Sequence, residues 1–145
     1  PILEKIHVAD GLIIGSPIYF GTVTGETRSF IERLLFQYLV YSMPPSSLFT
    51  RRIPTAFIYT MNVSKDLMHE LKYPVHIGLN EDVLRRTFGR SETLCSYETM
   101  QFEDYSKFVF NYFDPEIRRQ SYERSFPDDC RKAFDLGRKF GSCRQ

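Results

Sequence analysis

Between Gly11 and Gly15 three aliphatic residues, Leu12, Ile13 and Ile14, run without a polar break. A short continuous apolar run bounded by glycines predicts a strand buried on both faces. Residues 2–7, Ile-Leu-Glu-Lys-Ile-His, have the pattern of the last turns of an amphipathic helix. Residues 16–25 are rich in turn formers. Pro17 biases Ser16 toward extended geometry, and Gly21 and Gly25 permit backbone shapes closed to other residues. A helix is predicted to start near residues 24–26, with Thr24 as its cap and Glu26 placing a carboxylate in the first turn. Phe30, Ile31, Leu34, Leu35, Tyr38 and Leu39 then recur at helical period until Met43-Pro44-Pro45 ends the helix.

Residues 53–61 read as a second buried strand, with Pro54 at its start because it lacks a donor. A polar stretch follows over 62–72. Asn80 is expected to cap a short helix over 81–88. Its acids Glu81 and Asp82 lie early, its bases Arg85 and Arg86 lie late, and Gly89 stops it. Residues 92–100 suit a third strand. The aromatic stretch 105–112 is compatible with a helix. A last helix over about 127–140 carries Ala133, Phe134, Leu136 and Phe140 on one face. There are no repeats and no linker-like boundary. Strands alternating with helices predict an α/β domain with a mainly parallel sheet. Ligands of such sheets bind beyond the carboxyl ends of the strands, which selects residues 16–25, 60–64 and 96–99.

Composition narrows the classes. Of 145 residues, 42% are hydrophobic and 26% charged, and the formal charge is +1. That describes one globular domain, residues 1–145, rather than a disordered chain. No third of the chain departs from neutrality by more than one charge, so nothing favours nucleic acid or an anionic membrane. No apolar run approaches the ~20 residues that span a bilayer, and no signal peptide is read at this start, though a preceding piece could carry one. Cys95, Cys130 and Cys143 are scattered, and with His7, His69 and His76 they form no metal-ligand spacing. This usage fits a reducing, cytoplasmic compartment, and no metal ligands are assigned. The aromatic share is 15%. Such rings fill cores or face flat ligands.

The segment Gly15-Ser16-Pro17-Ile18-Tyr19-Phe20-Gly21 carries the chemistry. It places two rings, small residues and free backbone amides at a strand's carboxyl end. A flat heteroaromatic ring can lie there, with backbone groups bonding its polar edge and Tyr19 and Phe20 shielding it from water. The pattern by itself favours a tight turn whose rings fill gaps in the core. Elsewhere, Arg118, Arg119 and Arg124 near Tyr122 could grip phosphates or an acidic partner, but a solvated helix face beside Glu116 and Glu123 is the expectation. Cys95 is read as inert packing, and His69 and His76 as surface residues. Phe102, Tyr105, Phe108, Phe110, Tyr112 and Phe113 suit either a core or a homo-oligomer interface.

Residues 9–21, Ala-Asp-Gly-Leu-Ile-Ile-Gly-Ser-Pro-Ile-Tyr-Phe-Gly, resemble the third strand and flavin loop of the flavodoxin-like NAD(P)H-dependent FMN reductases. Thr24-Gly25 and the helix with Phe30, Ile31 and Arg33 continue the likeness. Residues 59–63, Phe88-Gly89, 101–107 and 126–129 resemble the iron–sulfur flavoprotein branch and its clostridial-type relatives.

The resemblance implies a flavodoxin-like three-layer fold with a parallel sheet. It implies FMN as cofactor and NAD(P)H as co-substrate. Ser16, Pro17, Ile18, Tyr19, Phe20 and Gly21 would line the isoalloxazine, Thr60, Met61 and Asn62 would be secondary contacts, and Tyr97 and Thr99, at the third strand's end, are further candidates. No catalytic side chain is implied, because the ring does the chemistry. The activity would pass electrons from NAD(P)H or a protein donor to a small molecule or protein acceptor. A homo-oligomer, dimer or tetramer, is expected.

The reading that competes is a non-catalytic electron carrier or binding module. The family's phosphate loop and the branch's cysteine cluster both belong upstream of residue 1, so an iron–sulfur cluster would need residues outside this chain. A flavodoxin-like sheet uses five parallel strands, and three are readable here. The expectation is therefore the later part of a larger domain, lacking its first two strands, with residues 101–145 as a carboxyl-terminal extension.

Overall fold

A computed structural model describes residues 2–109 and 111–142. The chain opens with α1 (Ile2–Val8) and β1 (Leu12–Tyr19), which turns back into the two-residue β2 (Thr22–Val23). Helix α2 (Gly25–Phe36) follows, then a small hairpin of β3 (Leu39–Val40) and β4 (Ser46–Ser47). Next come β5 (Ile53–Thr60), α3 (Lys65–Glu70), α4 (Tyr73–Phe88) and β6 (Gly89–Ser96). A single 3-10 turn (Tyr105–Lys107) precedes the long α5 (Pro115–Gly141).

The main sheet has the order β2-β1-β5-β6. Strands β1, β5 and β6 are parallel, in a register that sets Ser16 beside Tyr59 and Tyr59 beside Cys95. Side chains alternate across a strand, and β5 shows the result. Ile53, Phe57, Tyr59 and the following Met61 pack with Ile31 and Leu34 of α2 and Ile77, Leu84 and Phe88 of α4. Ala56 points the other way, against Leu136 and Phe140 of α5. Helices thus flank both faces of a parallel sheet, the expected three-layer flavodoxin-like arrangement. Strand β1, however, is not buried on both faces as its apolar run predicted. Ile13, in register with Ala56, is 45% exposed, because α5 packs mainly on β6 and leaves that side of β1 open.

Several elements depart from the sequence reading, each for a local reason. Strand β1 runs on through Pro17 to Tyr19, because β2 continues it as a hairpin, pairing Ile18 with Val23 and Tyr19 with Thr22. Helix α2 starts where predicted, with Thr24 Oγ1 accepting from the Thr27 amide, but stops at Phe36. Tyr38 leaves it to accept from the Leu48 amide at 3.0 Å, so Leu39 joins the small hairpin. The polar stretch after β5 hides α3, capped by Ser64, whose Oγ accepts from the Leu67 amide.

Asn80 is no cap. It sits buried inside α4, which begins seven residues earlier behind Lys72 in left-handed backbone and Pro74 in its first turn. A buried partner for its amide outweighs its preference for a helix end. Gly89 does end that helix, at φ +105°.

Strand β6 starts at Gly89, three residues before the predicted strand, and ends at Ser96 rather than residue 100. Helix α5 begins at Pro115, twelve residues before the prediction, and carries Pro127 in its interior. Asp114 holds its start, with Oδ1 accepting from the Glu116 and Ile117 amides. Leu136 and Phe140 are buried as expected, whereas Phe134 is solvent-exposed. Among the described residues of 105–112 only the 3-10 turn is helical. Its rings form a local cluster: Phe102 stacks on Phe108, and Tyr105 meets both Phe102 and Phe113 edge-on. Tyr112 is exposed, and Phe110 and Cys143 lie outside the described residues. Among the described residues no helix is long and apolar enough to cross a membrane.

Candidate functional site

The parallel register brings the carboxyl ends of β1 and β5, and the segment after β6, to one edge of the sheet. Main-chain bonds lock the two later segments together. The Met61 amide donates to Ser96 O, the Thr99 amide to Met61 O, and the Glu98 amide to Val63 O, at 3.0, 3.0 and 3.2 Å. Thr99 Oγ1 adds a second bond to Met61 O at 3.1 Å. This ladder past the strand ends fixes a short floor.

Above that floor lies a cleft of about 170 Å³ lined by Pro17, Ile18, Tyr19, Thr60, Met61, Asn62, Thr99, Met100 and Gln101. Ligand sites that enclose a drug-sized molecule run to about 300–1,000 Å³. This cleft is sized to take one edge of such a ligand. Its lining mixes apolar Pro17, Ile18 and Met61 with polar Thr60, Asn62 and Thr99, which suits a flat ring with a hydrogen-bonding rim.

Seven of the residues expected from sequence thus converge on one cleft: Pro17, Ile18, Tyr19, Thr60, Met61, Asn62 and Thr99. Ser16, Phe20, Gly21 and Tyr97 stand outside its lining. Ser16 is buried and turned inward, where Oγ donates to Pro17 O at 2.8 Å and accepts from the Thr24 amide at 3.2 Å. It ties the strand end to the start of α2.

Phe20 and Gly21 form the hairpin tip, both at positive φ, +51° and +83°. Two such residues in a two-residue hairpin loop match a type I′ turn. Phe20 is fully exposed and Tyr19 half-exposed. A bulky residue held in left-handed backbone is uncommon and points to a constraint. Tyr73 packs over the tip: a Cβ added to Gly21 would stand 3.3 Å from its ring.

Tyr97 is half-buried beside Cys95. Burial, then the neighbouring thiol, pushes its hydroxyl up to about 12. Burial likewise raises the Cys95 thiol, which keeps it protonated and poorly nucleophilic. The packing role expected for Cys95 agrees with this. His69 and His76 are exposed. Among the described residues no three His, Cys, Asp or Glu side chains converge as a metal site.

The arginines correct the sequence reading in part. Arg119 is half-exposed and Arg124 exposed. Arg118 is no solvated residue, since its side chain is only 10% exposed. Nη1 donates to the Asn62 backbone carbonyl and, at 3.1 Å, to Asn62 Oδ1. Nη2 lies 3.8 Å from Glu98 Oε1, and the guanidinium carbon stands 3.9 Å over the Phe113 ring. Charge spacing within α5 gave no sign of this, because the partners come from the two preceding segments.

Comparison with known proteins adds an independent line. Residues 1–65 match the model of the family described as NADPH-dependent FMN reductase. An iron–sulfur flavoprotein of Archaeoglobus fulgidus is 50% identical over 32 residues, covering 22% of this chain and 16% of that relative. The match therefore spans about a sixth of that relative's length. The three-layer parallel architecture and both matches support the resemblance to the flavodoxin-like FMN reductase superfamily that residues 9–21 carry.

Proposed function

We propose that the chain supplies the ring side of an FMN site in an NAD(P)H-dependent oxidoreductase. One observation carries the reading: residues from two separate loop segments and the end of β1 meet in one mixed polar and apolar cleft at the carboxyl edge of a parallel sheet. The match of residues 1–65 to NADPH-dependent FMN reductases supplies the chemistry.

The lining fits such a group. Pro17 and Ile18 present an apolar wall for a ring face. Thr60, Asn62 and Thr99 present polar atoms to its rim. Tyr19 at the cleft wall and Phe20 at the neighbouring hairpin tip would limit water's access to a seated ring. Isoalloxazine supplies hydride or single-electron transfer when bound. The chain's residues bind it, orient it and limit solvent access. Tyr97 and Cys95, both held protonated by burial, contribute no base.

The test is anaerobic. FMN is added to the chain, then NADPH, and the flavin's visible absorbance is followed. The reading expects a bound-flavin spectrum that NADPH bleaches. A bound spectrum that dithionite bleaches and NADPH does not would assign the chain to electron carriage instead. No bound flavin at all would overturn the reading.

A further inference from the structure

Asn62 lines the ring cleft, and everything that fixes its side chain comes from one arginine outside it. Arginine carries donors and no acceptor. The atom of Asn62 that faces the Arg118 guanidinium is therefore the carboxamide oxygen, whichever way the amide is drawn. The same Nη1 also holds the Asn62 backbone carbonyl. Both oxygens of this residue are thus taken, and the side-chain Nδ2 group is left with no protein partner among the described residues.

The guanidinium is itself rigidly placed. Phe113 lies beneath it, and Glu98 Oε1 stands 3.8 Å from Nη2. Glu98 is held in turn at Oε2 by Ser121 Oγ, at 3.4 Å. Its backbone, at φ +53°, is locked to Val63 O. The carboxyl-terminal helix therefore reaches over the sheet edge and clamps both segments that floor the cleft. A side chain whose rotamer is set by such a neighbour presents its free edge at lower entropic cost than a mobile one.

We propose that Arg118 is a positioning residue that fixes Asn62 with its NH2 edge as a hydrogen-bond donor to an acceptor atom, a carbonyl oxygen or ring nitrogen, on the rim of the planar ligand. The ligand class rests on the flavin reading above. The clamp selects for acceptor-bearing heterocycles over purely apolar rings. Arg118 itself stays out of contact with the ligand.

The test uses FMN titrations of the full chain, read by flavin fluorescence and by the visible band of the bound form. Asn62→Asp keeps an oxygen toward Arg118 and removes the donor. Arg118→Lys keeps the charge and loses the planar guanidinium that lies over Phe113 and reaches Asn62. Each single change is expected to weaken FMN binding by about five- to tenfold, the worth of one hydrogen bond. The double variant should be no weaker than either single by more than about twofold, because the two act as one unit. The visible band should shift in both singles, which a purely scaffolding role would not produce. Wild-type binding with an unaffected Asn62→Asp, or losses that add, would overturn the clamp and leave the flavin reading standing. A wild-type chain that binds no FMN would overturn that reading and the ligand assignment with it.

Discussion

Asn80 Nδ2 donates to the Tyr59 hydroxyl at 3.2 Å, between the middle of α4 and the penultimate residue of the central strand β5. Both residues are buried, and the Tyr59 ring lies parallel to Phe57 at 4.2 Å between centroids. Burial drives the Tyr59 hydroxyl far above its ordinary range, so it stays neutral. The pair sits one residue before the cleft-lining Thr60. It couples helix packing to the position of the site.

Tyr59→Phe removes the acceptor and strands a buried amide. The expected loss is about 1–3 kcal/mol, the cost of an unsatisfied buried polar group. Asn80→Ala should cost a similar amount, and the double change should cost less than the sum. Urea unfolding midpoints of the four chains check this. Additive losses would show that the bond contributes nothing.

The hairpin tip predicts opposite effects on stability and binding. Phe20→Asn places a residue tolerant of positive φ where the backbone sits at +51°. Relief of left-handed strain is worth about 1 kcal/mol, so thermal unfolding should move upward. Flavin binding should weaken, because the shielding ring is gone. Gly21→Ala should lower stability, since φ is +83° and the new methyl meets Tyr73 at 3.3 Å. Melting curves with FMN titrations separate the two effects.

Strand β6 and helix α5 are joined by Lys139 Nζ and Glu92 Oε2 at 2.8 Å. The Lys139 hydrogen bond comes first among the causes that hold the Glu92 carboxyl below its ordinary value, with Arg90 adding to it. A depressed carboxylate stabilises the fold above its unfolded pKa, and that contribution is lost as pH falls through the folded pKa. Lys139→Met should therefore be less stable at neutral pH. The gap should close as the pH drops below the ordinary carboxylate range. Unfolding midpoints at several pH values read it directly.

Thiol reactivity should follow placement. Cys130 is exposed on α5, whereas Cys95 is half-buried in β6 with its thiol raised by burial. Brief native alkylation with iodoacetamide, mapped by mass spectrometry, should label Cys130 well before Cys95. Equal rates would contradict the strand assignment around Cys95.

The parallel core was legible because strands write short apolar-rich stretches between turn formers, as at residues 12–14 and 53–61, although Ile13 of the first stays exposed. The cleft was legible for a related reason. Three predicted strand ends must share one edge if the strands are parallel, and that brought Pro17, Thr60 and Thr99 together. What escaped the sequence depends on tertiary partners. Asn80 reads as a cap until Tyr59 offers it a buried partner. Pro127 reads as a helix start, since nothing local announces that Asp114 has already capped that helix thirteen residues earlier. Arg118 reads as one charge on a charged helix, because Asn62 lies 56 positions away.

The central claim is that the cleft beyond β1 and β5 holds the ring of a flavin. Lumiflavin, which has the ring and no phosphate, isolates that claim. In amide ¹H–¹⁵N spectra of the chain titrated with lumiflavin, the account predicts shifts concentrated at Ile18, Tyr19, Phe20, Gly21, Met61 and Asn62. Shifts centred instead on Glu92, Lys132 and Lys139, which line a separate cleft against α5, or no shifts at saturating lumiflavin, would contradict it.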